Sequence, residues 1–253
     1  MSRRLLLLGI GPGDPRFLTI AAVDGLRAAD VVFVLDKGDA LDDLAAVRRA
    51  VLEAHGPAGL RVVTVADPPR DLSGGEYGDA VAGWHAARSA ALRDALETEL
   101  AGEGAVGAFL VWGDPSLYDS TQRVVEDVLA GLPWPVAVEV VPGISSLHLL
   151  TAHHRIPLNR VGAAVLITTG RRLLDTPPDE ATDVVVFLDG SCRFTELDPT
   201  GIDVYWGAYL GSPEEILVAG PLAERSAEIV ERRAAAKAAR GWVFDTYLLR
   251  WRG

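Results

Sequence analysis

Leu5-Leu6-Leu7-Leu8-Gly9-Ile10-Gly11-Pro12-Gly13-Asp14-Pro15 is the stretch on which the fold turns. Leu5–Ile10 is an unbroken apolar run, the pattern of a parallel strand covered on both faces, and a Gly/Pro loop follows it. Glycines directly after a strand invite comparison with dinucleotide-binding folds, and Asp36 even stands about 20 residues on, as that fingerprint requires. The spacing argues against it. The third glycine of G-x-G-x-x-G would fall at position 14, which is Asp14. A pyrophosphate also needs helical N–H groups immediately behind the glycines. Here Pro12 and Pro15 intervene and the first helical pattern waits until after Thr19, while Asp14 would repel a phosphate. The loop therefore opens an α/β sheet without being a nucleotide-phosphate cradle.

Outward from that loop, strands and helices alternate. Thr19 is a plausible N-cap for a helix from Ile20 to about Ala29. Val31–Leu35 is a second strand, and Leu41–His55 is helical, with Leu41, Leu44, Val47, Val51 and Leu52 at helical spacing. Arg61–Ala66 is a third strand. Asp67–Gly78, with two Pro and three Gly, is a long loop of the kind usually tied to function. A helix over Ala80–Leu100, a strand over Ala105–Trp112 and a helix from Ser120 to Ala130 follow. Leu132-Pro133-Trp134-Pro135 reads as a linker. Beyond it come strand Val136–Val141, helix Ser145–His153, strands Ala163–Thr168, Val184–Leu188, Val204–Ala208 and Ile216–Ala219, helix Leu222–Arg240 and strand Trp242–Leu249.

Regular alternation in the first half implies a parallel sheet with right-handed crossovers. The second half is rich in strands with few helices between them, so its sheet should be mixed. The expectation is two α/β domains, residues 1–122 and 123–253.

Composition narrows the function classes. With 253 residues, 49% hydrophobic and 23% charged, the chain can bury a substantial core. A formal charge of −11 disfavours nucleic acid and requires any anionic substrate to be met by local arginines. Cys192 is the single cysteine, and the five histidines show no H-E-x-x-H spacing, so no metal site is expected. Arg3-Arg4 before Leu5–Ile10 looks superficially like a signal peptide, but an apolar run of six residues is too short for that or for a membrane span. A cytoplasmic protein is expected.

Three further motifs close strands. Trp112-Gly113-Asp114-Pro115-Ser116-Leu117-Tyr118-Asp119-Ser120 lies at a strand's carboxyl end, where open α/β sheets bind ligands. Its carboxylate suits ribose hydroxyls or a sulfonium cation. Val141-Pro142-Gly143-Ile144-Ser145-Ser146 is a strand-to-helix turn with a serine cap, and Leu166-Ile167-Thr168-Thr169-Gly170-Arg171-Arg172 ends a strand in a Thr/Gly turn.

Together GIGPGDP, WGDPSLY, VPGISS and TTG resemble, in this order, the tetrapyrrole methylase family of uroporphyrinogen and precorrin methyltransferases and their diphthine and ribosomal-RNA relatives. Val31–Leu44, Val65–Asp71, Gly83–Arg88 and the terminal GWVFDTYLLRW are similar to the deacetylating branch of the oxygen-dependent route to cobalamin. That branch methylates carbon 1 of precorrin-5 and releases the acetyl group at carbon 20 as acetate. The resemblance implies S-adenosylmethionine bound in a cleft between the domains of a homodimer. It implies cofactor contacts from Pro12, Trp112, Gly113, Asp114, Leu117, Ser145, Ser146, Leu188, Ala208 and Thr246. A relative acting on another tetrapyrrole, diphthine or RNA is the alternative within the fold, and a nucleotide-dependent dehydrogenase the alternative outside it.

Methylation of an enamine-like ring carbon needs alignment more than a protein nucleophile. Deacetylation also needs a base and an oxyanion donor. Asp36, Lys37, His85 and Tyr118 are the candidates to line the substrate trough of the first domain, with Asp36 or His85 as base. Arg16, Arg70, Arg123, Arg171 and Arg172 are candidates for pairing the substrate's carboxylates.

Overall fold

The computed structural model describes residues 2–36, 42–66, 77–175 and 182–252; for residues 36, 42–44 and 77–85 it describes the backbone alone. Lys37 and Arg70 lie outside the described residues. The chain forms two compact units, Met1–Ile144 and Ser145–Gly253.

The first unit is built on strands β1 (Arg3–Gly9), β2 (Val31–Asp36), β3 (Arg61–Ala66), β4 (Val106–Val111) and β5 (Val136–Val141). They form one sheet in the order β3-β2-β4-β1-β5, and every pairing is parallel. The leucine run of β1 is central and covered on both sides: Leu5 and Leu7 enter one core, Leu6 and Leu8 the other, each at most 1% exposed. Burying each such side chain contributes about 2 kcal/mol. Helices α1 (Ile20–Ala28) and α2 (Asp42–His55) supply Ala22, Leu26 and Val51 to the Leu6/Leu8 side. Helices α3 (Tyr77–Glu99) and α4 (Thr121–Leu129) supply Leu92, Leu96, Val125 and Val128 to the Leu5/Leu7 side.

This division follows from handedness. From β1 the chain steps through β2 to β3 in one direction across the sheet, then returns through β4 to β5, so right-handed crossovers put the two helix pairs on opposite faces. β4 and β1 are also exchanged relative to the order in which those two paths would simply diverge. The loops leaving them head in opposite directions and must pass over one another.

One expectation is corrected here. The units divide after Ile144, not after residue 122, so residues 123–144 belong with the first unit. β5 is held to β1 through six aligned positions, from Arg3↔Val136 to Leu8↔Val141. The Leu132–Pro135 stretch is no linker. Leu132 and Trp134 pack on the first unit's core, and the Arg3 guanidinium lies 4.4 Å from the Trp134 ring centre.

The second unit contains β6 (Ala164–Thr169), β7 (Thr182–Phe187), β8 (Ile202–Ala208), β9 (Ile216–Pro221) and β10 (Asp245–Trp251), with helices α5 (Ser146–His154) and α6 (Leu222–Arg240). The sheet order is β6-β7-β10-β8-β9. β6 and β7 are parallel, while β10 is antiparallel to β7 and β8, and β9 to β8, so the sheet is mixed as expected. Its core centres on Trp206, Tyr247 and Phe194. The final strand starts later than its apolar pattern suggests. Gly241 ends α6 in the left-handed conformation, and Trp242 then packs edge-on against Tyr209 and Phe244 before β10 begins.

Candidate active site

The loops after β1, β4 and β5 meet main chain to main chain. Gly11 and Gly113 exchange backbone hydrogen bonds of 3.3 and 3.0 Å, and both have left-handed φ angles, +73° and +69°. A Cβ on Gly9 would lie 2.5 Å from the Gly143 nitrogen, and one on Gly143 would collide with the Gly113 carbonyl. Only glycine permits this approach. It is the consequence of two loops crossing over adjacent strand ends.

Asp114 fastens the crossing. One carboxylate oxygen accepts the Gly143 N–H at 2.8 Å. The other accepts the Ser116 N–H at 2.8 Å and the Ser116 hydroxyl. Pro12 is buried beside this junction, Trp112 is half-buried, and the Leu117 N–H donates to the Asp114 carbonyl at 3.2 Å. Pro12, Trp112, Gly113, Asp114 and Leu117 are therefore brought together, on a surface made largely of main chain. Asp14, by contrast, caps the Pro15–Phe17 turn and grips Arg16 at 2.6 and 2.9 Å. Hydrogen bonds from Arg16 hold its carboxyl below the usual range. Arg16 is engaged in that pair, while Arg123, Arg171 and Arg172 are exposed.

The remaining cofactor candidates gather in the second unit. Ser145, buried at the start of α5, lies with its hydroxyl 3.1 Å from His148 Nδ1 and donates its N–H there at 3.3 Å, so the ring nitrogen accepts. The Ser146 hydroxyl lies 3.0 Å from that of Thr246. Thr246, near the start of β10, is flanked by Phe187 on β7 and Gly207 on β8. Leu188 directly follows β7 and Ala208 ends β8, so Ser146, Thr246, Leu188 and Ala208 share one end of the sheet. Leu188 is 63% exposed with φ 53°, and Ala208 is fully buried.

Asp189 was not anticipated, because an Asp-Gly pair after a strand reads simply as a turn. Its buried carboxylate accepts the Tyr247 hydroxyl and the Arg193 N–H, each at 2.7 Å, and so holds the exit from β7 that carries Leu188. A Cβ on Gly170 would press against the Asp189 side chain at 2.5 Å, which accounts for the glycine of the Thr168-Thr169-Gly170 turn.

Of the trough candidates, Asp36 ends β2 and His85 lies within α3; the structure gives their backbone only. Tyr118 is 46% exposed and adopts φ 52°, an uncommon conformation for a non-glycine residue. Burial of part of its ring pushes the phenol above its ordinary pKa, so it is a hydrogen-bond donor at neutral pH. Among the described residues, no three His, Cys, Asp or Glu side chains are placed to hold a metal, and no helix is long and apolar enough to cross a membrane.

Residues 4–225 match the model of the tetrapyrrole (corrin/porphyrin) methylases. The chain is 46% identical to a precorrin-6A synthase (deacetylating) of Sinorhizobium sp. over 249 residues, covering 98% of this chain and 95% of that one. The crystal structure of a cobalamin-synthesis-related protein, CobF, from Corynebacterium diphtheriae superposes with a TM-score of 0.88 at 36% identity over the whole of both chains. A uroporphyrin-III C-methyltransferase from Thermus thermophilus, solved with S-adenosylhomocysteine, shares the fold at TM-score 0.57 and 23% identity, over 98% of this chain and 92% of that one.

Proposed function

Because the chain belongs to the tetrapyrrole methylase family, we propose that it transfers a methyl group from S-adenosylmethionine to carbon 1 of precorrin-5 and releases the carbon-20 acetyl group as acetate, giving precorrin-6A. The single observation that carries this reading is the Asp114 junction. It joins the loops after β4 and β5 over glycines that admit no side chain, which leaves main chain and one carboxylate to face a ligand. That donor set suits a nucleoside with a cationic sulfur and does not suit a pyrophosphate.

In this reading Pro12, Trp112, Gly113, Asp114 and Leu117 hold the methyl donor from the first unit. The second unit's candidates, Ser145, Ser146, Leu188, Ala208 and Thr246, offer hydroxyls and main chain. When bound, S-adenosylmethionine supplies a methyl group activated for in-line displacement by a carbon nucleophile. The protein contributes orientation and water exclusion, which can supply a large part of the rate without any protein nucleophile.

Acetate release asks for chemistry from side chains. Water adds to the acetyl carbonyl, the bond to the ring carbon breaks, and the electron pair passes into the conjugated ring. Tyr118, protonated and exposed, is suited to donate to the oxyanion, and Asp36 or His85 is the candidate to take the water's proton. Asp36→Asn and His85→Ala, assayed separately for acetate release and methyl transfer, test this. The base should lose acetate release; unchanged release in both variants removes these candidates.

Calorimetric titration with S-adenosylhomocysteine and with NAD tests the class of reaction. Saturable binding of the first and none of the second is expected, and the reverse result would overturn the proposal. The reading also carries a homodimer in the cytoplasm, the former checked by light scattering.

A further inference from the structure

The turn that leaves β7, Leu188-Asp189-Gly190-Ser191-Cys192, joins an exposed, strained start to a buried anchor. Leu188 and Cys192 take φ 53° and 55°, the left-handed region. Neither is glycine, so at both positions a Cβ crowds the main chain, and each would relax to another conformation if released.

Buried side chains prevent that release. One Asp189 oxygen accepts the Ser191 N–H at 3.2 Å, and the other accepts the Arg193 N–H and the Tyr247 hydroxyl. Burial, and then the Asp189 charge, push the Tyr247 phenol far above its ordinary pKa, so it stays a donor to a charged acceptor, the strong kind of hydrogen bond. Arg233 of α6 adds a second fastening. Its guanidinium donates to the Gly190 carbonyl at 3.3 Å and to Asp245 at 3.0 Å, and Asp245 also accepts the Trp206 indole N–H at 2.9 Å. A turn that only reversed the chain could meet such φ angles with glycine. Strain kept in place by several buried bonds is instead the pattern of a functional segment.

We propose that Asp189 and Tyr247 are positioning residues for the methyl donor: they hold Leu188 in the left-handed conformation in which its main chain contacts that donor. The assignment deepens the proposed function and rests on it, since Leu188 is one of the donor-site candidates there. Tyr247 does this from the α6 face of the sheet, while its neighbour Thr246 meets Ser146 on the α5 face.

Tyr247→Phe removes one hydroxyl and keeps the ring that packs edge-on against Phe194. Calorimetry should show S-adenosylhomocysteine bound about tenfold more weakly, as loss of one charge-assisted hydrogen bond implies. The KM for S-adenosylmethionine should rise in step, with kcat little changed. Ile229→Val lies in the same core without touching the turn's hydrogen bonds, and should lower the melting temperature while leaving donor affinity alone. Leu188→Gly supplies the rescue. Glycine adopts the left-handed conformation without strain, so Tyr247→Phe made on top of Leu188→Gly should cost less than about threefold in affinity. Parent-like affinity in Tyr247→Phe, an equal loss in Ile229→Val, or a tenfold cost in both backgrounds overturns the assignment and leaves the proposed function standing. A parent protein that does not bind S-adenosylhomocysteine overturns the proposed function, and the assignment with it.

Discussion

Asp114 and Gly143, which lie in different strand-to-helix connections, are joined by a carboxylate–amide hydrogen bond of 2.8 Å. Each belongs to a motif that carries a turn explanation by itself. The bond makes them one feature, and several outcomes follow from it.

Removing the Asp114 carboxylate strands the Gly143 N–H. Asp114→Ala should lose about 1–3 kcal/mol of stability, read by urea unfolding. Asp114→Asn retains an acceptor oxygen and should lose less stability, yet bind S-adenosylhomocysteine markedly more weakly because the charge is gone. Equal donor affinity in Asn variant and parent would show that the carboxylate serves the loops alone.

Gly143→Ala places a methyl group against the Gly113 carbonyl and the Gly9 backbone. Main chain cannot swing aside as a flexible side chain can. A loss of about 1–3 kcal/mol is expected, the range for forcing a methyl into a filled site, together with loss of donor binding. A melting temperature equal to the parent's would mean that the loops separate without strain.

The hydroxyls of Ser146 and Thr246, 3.0 Å apart, should be energetically coupled. A double-mutant cycle with Ser146→Ala and Thr246→Val, read by unfolding, should give about 0.5–1.5 kcal/mol of coupling. If they also hold the methyl donor, each single variant should weaken S-adenosylhomocysteine binding. Strict additivity in stability would remove the hydrogen bond from the account.

Burial lowers the His154 pKa from its ordinary 6.5, with the hydrogen bond to the Trp206 carbonyl, 3.1 Å away, working in the opposite direction. The unfolded chain therefore binds this proton more readily than the folded one. The contribution to stability is present above about pH 6.5 and is lost as pH falls through the lower folded value. Thermal melts at neutral and mildly acidic pH should show a steeper loss for the parent than for His154→Gln. Parallel slopes would contradict the assignment.

The elements were legible because hydrophobic period and punctuation agreed. Leu222–Arg240 is helical with the expected bounds, and Arg61–Ala66 and Val136–Val141 are strands over the residues their patterns mark. The allegiance of Val136–Val141 was not legible. Proline on both sides of Trp134 resembles a linker, and nothing local shows that the strand after it pairs with β1 at the far end of the unit's sequence. The exchange of β4 and β1 in the sheet is likewise tertiary, so the sequence marks the three glycine loops without revealing that they touch.

The measurement that bears most directly on the proposed activity is incubation with precorrin-5 and S-adenosylmethionine labelled in its methyl group, followed by mass spectrometry of the tetrapyrrole and assay for acetate. Label on the macrocycle together with acetate in matching amount is the predicted result. Unlabelled precorrin-5, recovered intact from a protein that binds S-adenosylhomocysteine, would contradict the assignment of this substrate.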